Sequence, residues 1–156
     1  TSAPIQYAAV TAFEENEEIE QYLKNARNIL RVIGKTLHVR LEGMGVAAAK
    51  PQGGFYLYPD FDAHRAKLVK KGIATNKQLC ERLLEETGIA LLPSVDFGCP
   101  PEDLTARLSY VDFEGQEALD MAKKYGDKPL DAKFVKECCP KMLAAMDALE
   151  EWLKHL

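Results

Sequence analysis

The sequence predicts an α/β fold, a small mixed or antiparallel sheet covered by helices and led by one long helix. Three observations predict it. Residues 16–44 carry apolar side chains three and four positions apart without a break, the helical period. Residues 55–58 and 104–111 instead alternate with period two, as half-buried strands do. Helical patterns return between and after these strands, giving the order helix, long helix, two strands, helix, two strands, helix, helix.

At 156 residues one domain is expected, with room for a tail. The chain is 47% hydrophobic, enough for a packed core and too much for a disordered chain. Its 20 basic and 24 acidic residues are well mixed and leave a net charge of −4. That balance argues against nucleic acid or an anionic membrane as the partner. No apolar stretch approaches the roughly 18 residues a membrane-spanning helix needs, and no signal peptide is visible. Thr1-Ser2 reads as the middle of something longer. Cys80, Cys99, Cys138 and Cys139 form no CxxC pair, and His38, His64 and His155 are scattered, so no metal site is expected. Adjacent Cys138 and Cys139 read as buried helix residues, and reduced thiols in the cytoplasm are the default.

In chain order, Ser2-x-Pro4 followed by Ile5, Ala8, Ala9, Ala12 and Phe13 predicts a helix with proline in its first turn. Asn16 caps the next helix, whose stripe is Ile19, Leu23, Ala26, Leu30, Ile33, Leu37 and Leu41. Acidic residues crowd its first turn, Arg40 lies near its end, and Gly43 and Gly45 stop it. About 27 residues span roughly 40 Å, more than a small domain requires and suited to a link between two domains. Residues 46–49 form a short strand candidate, 51–54 a glycine-bearing turn, and Phe55–Tyr58 a strand, together a hairpin or strand–turn–strand. Phe55 and Leu57 share one face of it, Tyr56 and Tyr58 the other. Residues 62–72 are a basic, helix-capable connector. Thr75-x-x-Gln78 is a capping box, Leu79, Leu83 and Leu84 make a buried stripe, and Gly88 ends that helix. Residues 114–125 read as a helix with Ala118, Leu119 and Ala122 inward. Asp131 caps a last helix that Pro140 kinks or restarts.

The centre of the chain is residues 89–111. Ile89–Leu92 reads as a buried strand that Pro93 ends, and residues 94–102 as an irregular loop. Beyond it, Leu104, Ala106, Leu108 and Tyr110 fall on one face, and Thr105, Arg107, Ser109 and Val111 on the other. An arginine in mid-strand between hydroxyls suits bidentate recognition of a carboxylate. The plainer alternative is a solvated strand arginine in a weak surface ion pair.

Leu92-Pro93-Ser94-x-x-Phe97-Gly98 followed by Arg107-Leu108-Ser109 resembles the C-terminal signature of fold-type I pyridoxal-phosphate aminotransferases, the class I/II or aspartate-aminotransferase-like family. Ser94 stands where that family has glycine. Lys50-Pro51-x-Gly53-Gly54-Phe55-Tyr56-Leu57 resembles a second motif of the family, and Pro4-x-Gln6-x-Ala8-Ala9 a weaker third. The resemblance covers nearly the whole chain. It implies the family's small domain over residues 16–156, with residues 1–15 as the end of the large-domain or linker helix. It implies an amino acid and a 2-oxo acid as substrates, pyridoxal 5'-phosphate as cofactor, and a homodimer for the full-length protein. By the same resemblance Arg107 holds the substrate α-carboxylate, with Gly53, Gly54, Phe55, Ser94 and Phe97 near substrate or cofactor. No lysine here stands in the family's Schiff-base context, so that lysine is expected upstream, and the chain alone is expected to be inactive. Alternatives are a carbon–sulfur lyase of the same fold, the amino-acid-sensing half of a transcription regulator, and a self-standing interaction domain.

Overall fold

The computed structural model describes residues 2–14, 16–126 and 128–156. Among these residues the architecture is mixed α/β, with seven α-helices and a small antiparallel sheet of three strands. Helix α1 (Ala3–Phe13) carries Pro4 in its first turn but buries none of its residues. Helix α2 (Glu17–Gly43) runs for 27 residues. Asn16 caps it by accepting from the amides of Glu18 and Ile19. Gly45, at φ +74°, closes its far end, where Gly45 N–H donates to Glu42 O and Val46 N–H to Leu41 O, the Schellman pattern. The buried stripe is Ile29, Ile33, Leu37 and Leu41, with Gly34 beside it; Ile19 and Leu23, nearer the start, are only half-buried.

Strand β1 (Tyr56–Leu57) pairs with strand β3 (Ala106–Ser109), and strand β2 (Leu92–Pro93) lies on the other side of β3, giving the order β1-β3-β2. The register sets Tyr56 opposite Ser109 and Leu92 opposite Arg107. Leu104, Ala106, Leu108 and Tyr110 are buried while Ser109 and Val111 are exposed, so the period-two assignment of faces holds. Two expected strands change character. Residues 46–49 contribute one bridge, Ala47 to Asp60, rather than a strand; three of the four are alanines, which favour strands little. The stretch 89–92 is not uniformly buried: Ile89 and Leu91 face inward, Ala90 and Leu92 outward, and pairing begins at Leu92 and includes Pro93. Phe55 does not follow Leu57 into the core either; it is 38% exposed against 3%.

Helix α3 (Arg65–Lys70) follows a short 3-10 turn, and helix α4 (Asn76–Thr87) opens with the full Thr75/Gln78 capping box and ends at Gly88, φ +75°. Residues Ser94–Phe97, expected as irregular loop, form a second 3-10 turn. Helix α5 is Gly115–Tyr125. Asp131 caps helix α6 (Ala132–Cys138), and Pro140 restarts the chain as helix α7 (Pro140–Lys154) rather than kinking it. The sheet packs against α2 and α4, and α7 packs on α4, α6 and α2; Phe61, Leu104, Tyr110 and Leu149 are buried in the core they share. Arg40 ties α2 to α7, donating to Asp147 (2.7 Å) and Glu150 (3.1 Å). Trp152 on α7 donates its indole N–H to Glu86 on α4 (2.6 Å). The four cysteines are free thiols, and burial pushes Cys80 up to about 11 and Cys139 to about 12, so both act as small apolar core residues. No helix among the described residues is long and apolar enough to cross a membrane.

Candidate functional site

Arg107 stands in mid-strand on β3, the central strand, on the face away from the core. Its guanidinium carbon lies 4.4 Å from the centroid of the Tyr56 ring and 4.5 Å from that of Phe97. Tyr56 comes from β1 on one side of β3; Phe97 ends the 3-10 turn that follows β2 on the other. Both rings stand within the reach of a cation–π contact. Among the described residues no carboxylate or carbonyl accepts from the Arg107 N–H groups. The half-buried cation is thus held by rings that cover it and offer its edge nothing to bind.

The second motif sits beside this arginine. Gly54 adopts φ +67°, a conformation glycine takes without strain, and its carbonyl accepts the Tyr110 hydroxyl (3.1 Å). Phe55 accepts the Tyr110 amide at its carbonyl (3.0 Å), and its ring leans on that of Tyr56 with centroids 4.4 Å apart. Gly34 lets Tyr110 lie against α2: a Cβ there would stand 2.9 Å from the Tyr110 hydroxyl oxygen. Gly53 is exposed, and a Cβ added to it would meet nothing within 4 Å, so no close approach demands a glycine there.

The turn bearing Phe97 is anchored from below. Ser94 is fully buried, and its hydroxyl accepts from Asn76 Nδ2 (2.9 Å). The same amide donates to Pro100 O (3.0 Å) and Asp103 O (3.1 Å), while the Asn76 backbone N–H donates to Pro101 O (2.9 Å). Asn76 thereby holds both ends of the loop between β2 and β3. The Tyr58 hydroxyl lies 3.4 Å from Cys99 Sγ; burial first, then the thiol, pushes the phenol above its ordinary value.

Of the residues singled out in the sequence, Arg107, Phe97 and Phe55 gather at one place, with Tyr56 as the link. Ser94 is buried and bonded to Asn76, and Gly53 and Gly54 line a cleft with Tyr110. Tyr56 and Asn76 were missed. Tyr56 carried a signal, an aromatic at the outward parity of a neighbouring strand; Asn76, whose partners lie 18–27 residues further on, carried none. Between α2 and the turn that leads into β1, Arg27, Arg31, Lys35 and Lys50 line a cleft of about 440 Å³ with Gly53, Gly54 and Tyr110. Two rings, a guanidinium and strand hydroxyls can seat a carboxylate. They include no amine to join an aldehyde, so the groups at Arg107 do not by themselves fit pyridoxal phosphate.

Residues 1–118 match the aminotransferase class I and II family. The chain is 35% identical over 106 residues to an aspartate aminotransferase of Geobacillus stearothermophilus, an alignment covering 67% of this chain and 25% of that protein. Its fold is similar to a crystal structure of an aromatic aminotransferase from Pyrococcus horikoshii OT3, with TM-score 0.65 and 26% identity over 97% of this chain and 31% of the other. It is also similar to a Thermus thermophilus aspartate aminotransferase tetra mutant complexed with tryptophan, with TM-score 0.54 and 27% identity over 80% of this chain and 29% of the other. The chain spans about a quarter of the length of the curated relatives it matches. Its motifs, its sheet and its matching residues place it together with these proteins: the chain belongs to the aminotransferase class I and II family.

Proposed function

We propose that residues 16–156 are the small domain of a pyridoxal-phosphate aminotransferase, entered through residues 1–15, and that Arg107 binds the α-carboxylate of the amino acid and of the 2-oxo acid. One observation carries this reading. A guanidinium is fixed in mid-sheet between two rings, and no acceptor among the described residues meets its N–H groups. An arginine in a surface ion pair would have a partner within 4 Å, and this one has none among the described residues. Its fork fits a carboxylate with two parallel hydrogen bonds, which set both the position and the rotation of the substrate.

The cofactor, which supplies the electron sink when bound, is assigned to residues outside 1–156 together with the lysine that joins it. The relatives' names support an amino acid and a 2-oxo acid as the reactants. The family's homodimer and a cytoplasmic location belong to this proposal too.

The test is Arg107→Ala and Arg107→Lys in a protein that joins residues 1–156 to the cofactor-binding remainder. L-Aspartate is compared with β-alanine, the same molecule without its α-carboxylate. Each charge-assisted hydrogen bond contributes on the order of 1.5–3 kcal/mol. The kcat/KM for L-aspartate therefore falls roughly 10²–10⁴-fold in Arg107→Ala, and lysine, which keeps the charge but not the fork, is also impaired. Turnover of β-alanine changes little. Near-parental efficiency with L-aspartate in both variants removes Arg107 from the site.

A further inference from the structure

We propose that Tyr56 and Phe97 are positioning residues that clamp the Arg107 guanidinium between two aromatic plates and so fix the plane in which a carboxylate is received. The inference rests on the reading of Arg107 as the carboxylate-binding arginine and adds the groups that set its geometry.

A free arginine side chain samples many rotamers, and a fork that points in many directions binds a carboxylate weakly. Rings at 4.4 and 4.5 Å cover the guanidinium. Its donors all lie in the guanidinium plane, so a cation stacked between plates presents them only at its uncovered edge. A carboxylate arriving in that plane meets two N–H groups at once; one arriving over a face meets a ring.

Nothing else in the fold requires these two rings. Tyr56 is 43% exposed and Phe97 46% exposed, so neither fills the core. Yet each is pinned by its own bonds. The Tyr56 plate is backed by the Phe55 ring and held by the pairing of β1 with β3. The Phe97 plate ends a turn whose first residue, Ser94, is held by Asn76. The two plates thus come from opposite neighbours of the central strand and are set independently. A lysine at 107 has no plane to stack, so the clamp would hold it poorly.

The experiment has a structural arm and a kinetic arm. In proton NMR of this chain, ring currents shift the Arg107 δ and ε protons upfield; Tyr56→Leu and Phe97→Leu each remove part of the shift, and the double variant removes it. In the protein joined to its cofactor-binding remainder, each leucine variant raises KM for L-aspartate about 5–10-fold, in the range of a partly desolvated cation–π contact. The kcat falls less than about threefold, and β-alanine efficiency moves less than about twofold. Tyr56→Phe and Phe97→Tyr, which restore a plate, return KM to within about twofold of the parent. Arg107 protons that do not move in the leucine variants overturn the clamp. So does an unchanged KM for L-aspartate, and if Arg107→Ala still loses activity the reading of Arg107 stands without it. Equal losses with L-aspartate and β-alanine make the rings general walls of the pocket and overturn the positioning role. Retained activity in Arg107→Ala is a separate result that removes the underlying reading.

Discussion

Asn76 shows how one buried amide can organise a loop. Its side-chain NH₂ serves Ser94, Pro100 and Asp103, and its backbone N–H serves Pro101. Asn76→Ala leaves the buried Ser94 hydroxyl and two part-buried carbonyls without their donor, beside a new cavity, and an orphaned buried polar group costs roughly 1–3 kcal/mol. The expected outcome is a loss of about 2–4 kcal/mol in a urea titration, with an unchanged slope and a weakened Arg107–Phe97 contact. A loss below about 0.5 kcal/mol would mean the loop holds itself. Legibility of the site followed the range of each interaction. Arg107 could be found because its strand alternates over adjacent residues and its motif is contiguous. Tyr56 could not be set beside Arg107 from the sequence, because parity says which face a side chain takes but not which distant strand lies alongside. Asn76 was hidden by its own cap: it stands where a helix begins, and nothing local says that it bonds a loop downstream.

At the scale of elements, the helices were more legible than the strands. Asn16, the Thr75/Gln78 box, Asp131 and Gly88 each end a helix by bonds to residues within four positions. Strands need partners elsewhere, and residues 46–49, one valine and three alanines of low β propensity, form a single bridge, Ala47 to Asp60. The contact of α4 with α7 yields a pH prediction. The Trp152 indole N–H, and after it Arg82, hold the Glu86 carboxyl below its ordinary value of 4.5. A carboxylate depressed in the folded state adds stability that is full above its unfolded value and is lost as pH falls through the folded one. The tie between α4 and α7 therefore weakens as the solution is acidified below about 4.5. Trp152 is the single tryptophan, so its fluorescence reports the event directly. The acid transition in emission is expected to vanish in Glu86→Gln; if it persists there unchanged, another carboxylate governs it.

At the scale of the molecule, α1 stands outside the economy of the fold. Its Ile5, Tyr7, Val10 and Phe13 are exposed, Phe13 to 90%, and no residue of the helix is buried. A helix of 11 residues with no packing is marginal in water, and its apolar side invites association. Sedimentation of the chain is expected to show self-association that disappears when residues 1–13 are deleted, with the urea midpoint unchanged; a monomer before deletion contradicts this. The central strand carries a different consequence. Ala106 and Leu108 turn into the core while Arg107 turns out, so the interior and the anion face are written into the same four residues by parity. Sliding β3 by one position would bury a charge and set apolar side chains on the face where we propose that the carboxylate is received. The smallest slide that keeps the faces is two residues, about 6.7 Å, far coarser than the tolerance of a hydrogen bond. Descent with modification therefore cannot adjust this arginine by moving its strand. It is left with the flanks, and the flanks are where the aromatic rings stand.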